Sequence, residues 1–271
     1  MDSWVDGRPG DALSLKDRGL AYGDGLFETI AVKAGKPLLL ERHLQRLAEG
    51  CRRLGIAADH GLVRRELLAY GAALGEGVLK LILTRGDSQR GYAVSADAQP
   101  RRILQGSPPP TYPQAYQQHG IGLFPCTTRL SEQPLLAGLK HLNRLEQVLA
   151  RAEWQGGEQA EGLMLDTSGR VIEGVFSNLF LVRAGVLRTA DLSRCGVAGV
   201  MRAQLLEEAQ ALAIPVDISD ISLEQFRQAD EVFLCNSVYG VWPVRAFADL
   251  SWSVGPLTRK LQGIARVLLE V

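Results

Sequence analysis

The stretch Leu135-Leu-Ala-Gly-Leu-Lys-His-Leu-Asn-Arg-Leu-Glu-Gln-Val-Leu149 holds a single lysine, Lys140. The chain has six lysines against twenty-four arginines, and the other five (16, 33, 36, 80 and 260) sit beside turn residues, among charges or on alternating strand patterns. Lys140 instead follows an apolar run and opens what reads as an amphipathic helix over 140–154, with Leu142, Leu145, Val148, Leu149 and Ala152 inward. A lysine drawn out of water has its charged form disfavoured, so its amine becomes nucleophilic and suits a Schiff base. A snorkelling lysine at a helix start, stem on apolar neighbours and head in water, satisfies the same local pattern. By itself the stretch leaves both readings open.

Working outward, 271 residues with 46% hydrophobic and 22% charged content describe a folded soluble protein of one large or two ordinary domains. Lys+Arg and Asp+Glu are both 30, so no global field draws nucleic acid or an anionic membrane. Nothing reaches the ~18 uninterrupted apolar residues of a membrane span, and Met1-Asp-Ser-Trp-Val has no apolar signal core. The cysteines (51, 126, 195, 235) lack Cys-x-x-Cys spacing and read as reduced core residues of a cytoplasmic protein. The histidines (43, 60, 119, 141) form no His-x-x-x-His pair, and no metal site is expected.

Residues 106–113 contain three consecutive prolines, which cannot join a helix or a central strand. They read as a linker between a domain over 1–105 and a larger one over 114–271. Before it, Trp4-Val runs into an Asp-Gly turn, 14–25 reads as a long ordered loop, and 26–33 alternates as a strand returning through 37–40. Helices follow at 41–54, with His43 and Arg46 on one stripe, and through Leu74 with Asp59 as cap. Strands are expected at 77–84 and 101–104. After the linker, strands are expected at 121–127, 162–166, 171–173, 178–182 and 230–235, and helices at 199–212 and from Pro256 to near Leu269.

Two further constellations suggest chemistry. Gly196 to Gly199 leads into a helix start, where free amides and the helix dipole favour an anion. Asn236-Ser237 offers a hydroxyl and Arg46 a bidentate cation. Glu173 ends a short strand among apolar residues, where a carboxylate needs a partner such as a protonated heterocycle nitrogen. A plain strand-to-helix turn and a water-facing glutamate fit the same local patterns. Together with Lys140, these are the parts that pyridoxal 5′-phosphate requires.

Asp17-Arg-Gly-Leu-Ala-Tyr-Gly-Asp-Gly-Leu-Phe-Glu28, His43-Leu-Gln-Arg-Leu47, Lys140, Glu173-Gly-Val-Phe-Ser-Asn-Leu-Phe180 and Gly199-Val-Met-Arg202 span nearly the whole chain. In that order they resemble the landmarks of the fold-type IV pyridoxal-phosphate enzymes, which include D-amino and branched-chain aminotransferases and aminodeoxychorismate lyases. Leu26-Phe-Glu-Thr29, Arg90-Gly-Tyr92, the Lys140–Gln147 run and Cys195–Arg202 are most similar to the lyases. The resemblance implies an α/β (α+β) fold with a small N-terminal domain and a larger C-terminal domain built on a barrel-like sheet. It also implies a cytoplasmic homodimer with active sites at domain and subunit interfaces. Lys140 would be the Schiff-base lysine and Glu173 the partner of the pyridine nitrogen. Arg46, the Ser237 hydroxyl and the amides of Val200 and Met201 would hold phosphate, with Ser177, Asn178 and Gly199 completing the cofactor set. Position 201 is often threonine in the aminotransferases; Met201 offers only its amide. Tyr22, Thr29, Arg90 and Tyr92 would face the substrate, with Thr29 as hydrogen-bond donor near the leaving group. The implied reaction converts 4-amino-4-deoxychorismate to 4-aminobenzoate and pyruvate, in folate biosynthesis. The alternative is a D-amino or branched-chain aminotransferase on the same fold.

Overall fold

Asp6 and Gly7 both take positive φ (52° and 78°), the geometry of a tight hairpin between strands β1 (Trp4–Val5) and β2 (Arg8–Pro9). The computed structural model describes residues 3–95, 97–155 and 159–270. The chain divides into two units, Met1–Pro110 with Leu139–Asn143, and Thr111–Gly138 with Arg144–Glu270.

In the first unit the expected loop over 14–25 contains helix α1 (Arg18–Tyr22). Asp17 caps it by accepting from the amides of Gly19 and Leu20, and Gly23 closes it in the left-handed region. A five-residue helix is too short to show apolar periodicity, which is why the sequence hid it. Strand β3 (Gly25–Lys33) turns into β4 (Lys36–Pro37). The expected return strand over 37–40 stops at Pro37, because helix α2 (Leu40–Leu54) begins there and ends at left-handed Gly55. Asp59 caps α3 (His60–Leu74), its carboxylate accepting from the Leu62 amide at 2.9 Å. Strands β5 (Gly77–Thr84) and β6 (Arg101–Ser107) complete a six-stranded sheet of order β2-β1-β6-β5-β3-β4. β6 includes Gly106 and Ser107, which the sequence assigned to the linker. Ile30, Leu79, Leu81 and Leu83 of the sheet pack with Leu47, Cys51, Val63, Leu67 and Tyr70 of the helices.

The segment Leu139–Asn143 belongs to this unit. His141 bridges Leu26, the Phe27 amide donates to the Lys140 carbonyl at 2.9 Å, and the Leu142 amide donates to the Gly25 carbonyl at 3.0 Å. Lys140 therefore sits on extended backbone docked against β3, and the helix expected to start at Lys140 does not start there.

The second unit runs through α4 (Gln114–His119), β7 (Ile121–Leu130), α5 (Leu145–Ala152), β8 (Gln159–Asp166), β9 (Val171–Gly174), β10 (Asn178–Arg183) and β11 (Val186–Ala190). It continues with α6 (Val200–Ala211), β12 (Val216–Ser219), α7 (Leu223–Arg227), β13 (Glu231–Asn236), β14 (Gly240–Phe247), β15 (Leu250–Ser251) and α8 (Pro256–Glu270). Strands pair in the order β10-β13-β14-β7-β8-β9, and Asn178 of β10 pairs with Glu173 of β9, closing six strands into a barrel. β11 and β12 extend the sheet beyond β10. Leu163, Leu179, Leu181, Leu234 and Trp242 are among the barrel's buried residues. In α5, Leu145, Val148 and Leu149, expected inward, are 75%, 60% and 60% exposed, and Ala152 is exposed as well. The amphipathic stripe is real, but its apolar side faces away from the chain's own core. Among the described residues no helix is long and apolar enough to cross a membrane, and no cluster of residues could hold a metal ion.

Candidate active site

The first unit carries Lys140 on the short segment against β3. Its Nζ lies 4.3 Å from the centroid of the Phe27 ring, within cation–π reach. Side chains alternate along a strand, so Phe27 and Thr29 share one face of β3 and Glu28 points to the other. There Glu28, 2% exposed, anchors α2: its Oε1 accepts from Arg46 Nε at 2.8 Å, and its Oε2 meets Arg46 Nη2 and His43 Nδ1, the latter at 2.6 Å. Burial alone would raise the Glu28 carboxyl, but the Arg46 charge and the His43 contact prevail and hold it at about 2. Burial depresses His43, against Glu28, which raises it; the charges of Arg46 and Lys140 lower it further. His43 is thus a neutral ring donating from Nδ1 to an ionised carboxylate.

Tyr22 and Tyr92 meet with ring centroids 5.4 Å apart. The Gly91 amide donates to the Tyr22 hydroxyl at 3.2 Å, and Arg18 holds the carbonyls of Gly91, Tyr92 and Ala93. Arg90 and Tyr92 are exposed on that loop. Asn143, three residues beyond Lys140, donates to the Gly23 carbonyl at 3.2 Å.

In the second unit Glu173 stands at the seam of the barrel, 4% exposed. Its Oε2 accepts from the Val197 amide at 2.9 Å and from Asn178 Nδ2 at 3.2 Å, and the same Asn178 amide group donates to the Val197 carbonyl at 2.8 Å. Gly199 caps α6 and, having no side chain, leaves the first-turn amides at Val200 and Met201 without a side-chain cap. A Cβ at Gly199 would lie 2.0 Å from Asn178 Oδ1, so glycine is required for Asn178 to approach the helix start. Arg202 ties that first turn to β11, its Nη2 donating to the Ala190 carbonyl at 2.9 Å. Asn236 Oδ1 accepts from the amides of Val238 and Tyr239, both at 2.9 Å, shaping the turn that carries Ser237. Ser177 turns toward Glu161, with Oγ 2.8 Å from Oε2. Desolvation lowers the pKa of Arg144, whose charged neighbours are Glu173 and Glu146.

Within the first unit the structure brings together Tyr22 and Tyr92, and sets Thr29 and Phe27 on one face of β3. Within the second it gathers Glu173, Asn178 and Gly199 with the start of α6. Arg46, read from the sequence as a phosphate ligand, directs its Nε and Nη2 to Glu28. Sequence reasoning passed over Glu28, Glu161, Arg18 and Arg144. Glu28 reads as one more residue of a strand and Glu161 falls just before the strand expected at 162–166, and most of their partners lie on other elements. Each unit by itself holds parts that fit pyridoxal 5′-phosphate: the first an amine for the aldehyde, the second a held carboxylate for a protonated ring nitrogen and a helix start without a side-chain cap for phosphate.

A mixed α/β chain with a closed six-stranded barrel and a carboxylate at its seam points to a class, and the sequence match agrees. Residues 25–247 match the family described as amino-transferase class IV, and the chain belongs to it. The chain is 37% identical over 265 residues to the aminodeoxychorismate lyase of Vibrio harveyi, covering 96% of this chain and 98% of that protein. It is 26% identical over 260 residues to the D-alanine aminotransferase of Bacillus licheniformis, covering 93% and 89%. The crystal structure of 4-amino-4-deoxychorismate lyase from Pseudomonas aeruginosa superposes with a TM-score of 0.97 at 65% identity, covering 98% of each chain.

Proposed function

We propose that this chain is a pyridoxal-phosphate-dependent lyase that converts 4-amino-4-deoxychorismate to 4-aminobenzoate and pyruvate, a step of folate biosynthesis. The carrying observation is full-length likeness to lyases at 37% and 65% identity, against 26% to the aminotransferase. Bound through its aldehyde, the cofactor supplies an electron-withdrawing ring. Lys140 would be the covalent anchor, and its amine would remove the proton from the amine-bearing ring carbon of the substrate. The C–O bond to the enolpyruvyl group then breaks and the substrate ring becomes aromatic. Thr29, on the Phe27 face of β3, donates a hydrogen bond to the departing oxygen. The methylene of the leaving group takes up a proton to give pyruvate, so no water and no redox partner are consumed. Glu173 keeps the cofactor nitrogen protonated. The α6 amides at Val200 and Met201, the Ser237 hydroxyl and Arg46 hold the phosphate, with Ser177, Asn178 and Gly199 around them. Tyr22, Arg90 and Tyr92 serve the substrate's carboxylates.

We also infer a homodimer in the cytoplasm. The exposed apolar residues Leu145, Val148 and Leu149 of α5, with Leu135 at 78% exposure, fit a second copy of the chain. All four cysteines are free and buried, as a reducing compartment allows. The deciding experiment supplies 4-amino-4-deoxychorismate without any keto-acid acceptor. Release of pyruvate and 4-aminobenzoate is expected; turnover only with an acceptor would make the chain an aminotransferase. Borohydride reduction followed by peptide mapping should label Lys140.

A further inference from the structure

Glu161 is fully buried on β8, on a strand whose following residues Leu163 and Met164 are buried and apolar. A carboxyl group in such a place costs free energy unless donors meet it. Four do. Oε1 accepts from the amides of Gly162 and Val175, each at 3.0 Å; Oε2 faces Ser177 Oγ at 2.8 Å and the Phe176 amide at 3.4 Å. Three of the four donors belong to the turn 175–177 between β9 and β10. That turn is further closed by the Gly174 amide, which donates to the Ser177 carbonyl at 2.7 Å. A Cβ at Gly174 would lie 2.3 Å from Ser177 Oγ and 3.1 Å from the Glu161 carboxyl carbon, so the turn and the acid are packed as one piece. Residue 173, on one side of the turn, is the seam carboxylate; residue 178, on the other, is the asparagine that donates to it.

We propose that Glu161 is a positioning residue: its carboxyl group pins the turn 175–177 and thereby fixes the Glu173–Asn178 pair against the cofactor's ring nitrogen. The proposal rests on the pyridoxal-phosphate role of Glu173 and goes beyond it, since Glu161 is not itself among the residues assigned to the cofactor and acts through the turn that carries Ser177. Burial raises the Glu161 carboxyl to about 8, with the Ser177 hydroxyl and the amides of Gly162, Phe176 and Val175 pulling the other way. Glutamine keeps a carbonyl oxygen for the two amides at 3.0 Å and turns an N–H to the Ser177 hydroxyl, which can accept as well as donate; it loses only the long Phe176 contact at 3.4 Å. Leucine fills the volume and offers neither.

The test loads pyridoxal 5′-phosphate onto wild type, Glu161→Leu, Glu161→Gln and Gly174→Ala. It measures the dissociation constant of the cofactor and the pH midpoint of its visible band. Glu161→Leu should weaken binding about tenfold or more and move the midpoint, the scale of losing a hydrogen-bonded buried anchor. Glu161→Gln should restore both to within about threefold of wild type, which general destabilisation of the barrel would not predict. A Glu161→Leu protein with wild-type affinity and an unmoved midpoint overturns the proposal. Should Glu161→Leu fail to fold, Gly174→Ala decides, because its Cβ would force the Glu161 carboxyl and Ser177 apart: a shift in the same direction supports the role, and unchanged affinity and band overturn it. The lyase reading fails separately, on absent pyruvate release with the visible band intact.

Discussion

Removing the Glu28 charge is the sharpest perturbation the first unit offers. Glu28 is 2% exposed and carries both Arg46, bidentate, and His43. Its carboxyl falls from 4.5 to about 2 on folding. At ~1.4 kcal/mol per factor of ten, that fall is worth about 3 kcal/mol. The unfolded chain binds the proton more readily, so between pH 4.5 and about 2 it holds more protons than the folded chain, and stability rises with pH across that window. The contribution is complete above 4.5 and lost as pH falls toward 2. Glu28→Gln removes it and leaves the Arg46 guanidinium, its side chain 13% exposed, without its counter-charge. Breaking a buried pair from one side costs about 3–5 kcal/mol, and the two routes agree on about 3. Urea unfolding of the cofactor-free protein at pH 7, 4.5 and 3 should show Glu28→Gln destabilised by that amount at pH 7, with a shallower acid slope than wild type, so that the gap narrows below 4.5. A variant within about 1 kcal/mol of wild type at pH 7, or with the wild-type acid slope, would refute the assignment of this stability to the Glu28 carboxylate.

Three further outcomes are expected. Lys140→Ala should abolish turnover, because anchoring and proton removal lose the same amine; a tenth of wild-type activity, measured as pyruvate release, would contradict both roles. Thr29→Ala should slow pyruvate release by ~10²–10⁴-fold while leaving cofactor affinity unchanged, and an equal rate would make Thr29 an ordinary strand residue. Val148→Asp, placed in the exposed apolar face of α5, should convert a dimer to monomers in light scattering; a dimer that survives it means the second copy docks elsewhere.

Much of the fold was legible because periodicity carried it. Helix α3 declared itself by Asp59 and by an apolar face that meets the sheet, and β5 by an apolar run over 78–83 interrupted only by Lys80. The elements that were missed had weak or contrary local signals. β14 opens at Gly240 and contains Pro243, a residue that normally argues against an interior strand. β12 alternates but has only four residues, Val216-Asp-Ile-Ser219. α1 depends on Asp17 and Gly23 rather than on any face it buries. The misreading at Lys140 has a different origin. The 140–154 pattern is amphipathic, but its first residues pair with β3 and its apolar stripe is exposed, so one periodic signal covered two structures with different partners.

The site was legible residue by residue, and its supports were not. Glu173 and Lys140 stand out because their chemistry is unusual for their surroundings. Glu28 and Glu161 are each a carboxylate on a strand, and what distinguishes them lies far along the chain: α2 for Glu28, the turn 175–177 for Glu161. A strand pattern states only which face a side chain takes. It does not say whether that face meets leucines or donors, and this decides whether a buried carboxyl group is a liability or an anchor. The glycines give the one local hint. Gly174 and Gly199 stand where a Cβ would strike Ser177 Oγ or Asn178 Oδ1, so each marks a polar side chain brought close by tertiary packing. Read that way, the Gly-x-x-Ser-Asn run after Glu173 describes the mould around the acid as well as the acid itself. Gly174→Ala should therefore disturb the Glu173–Asn178 contact even though it adds only a methyl group.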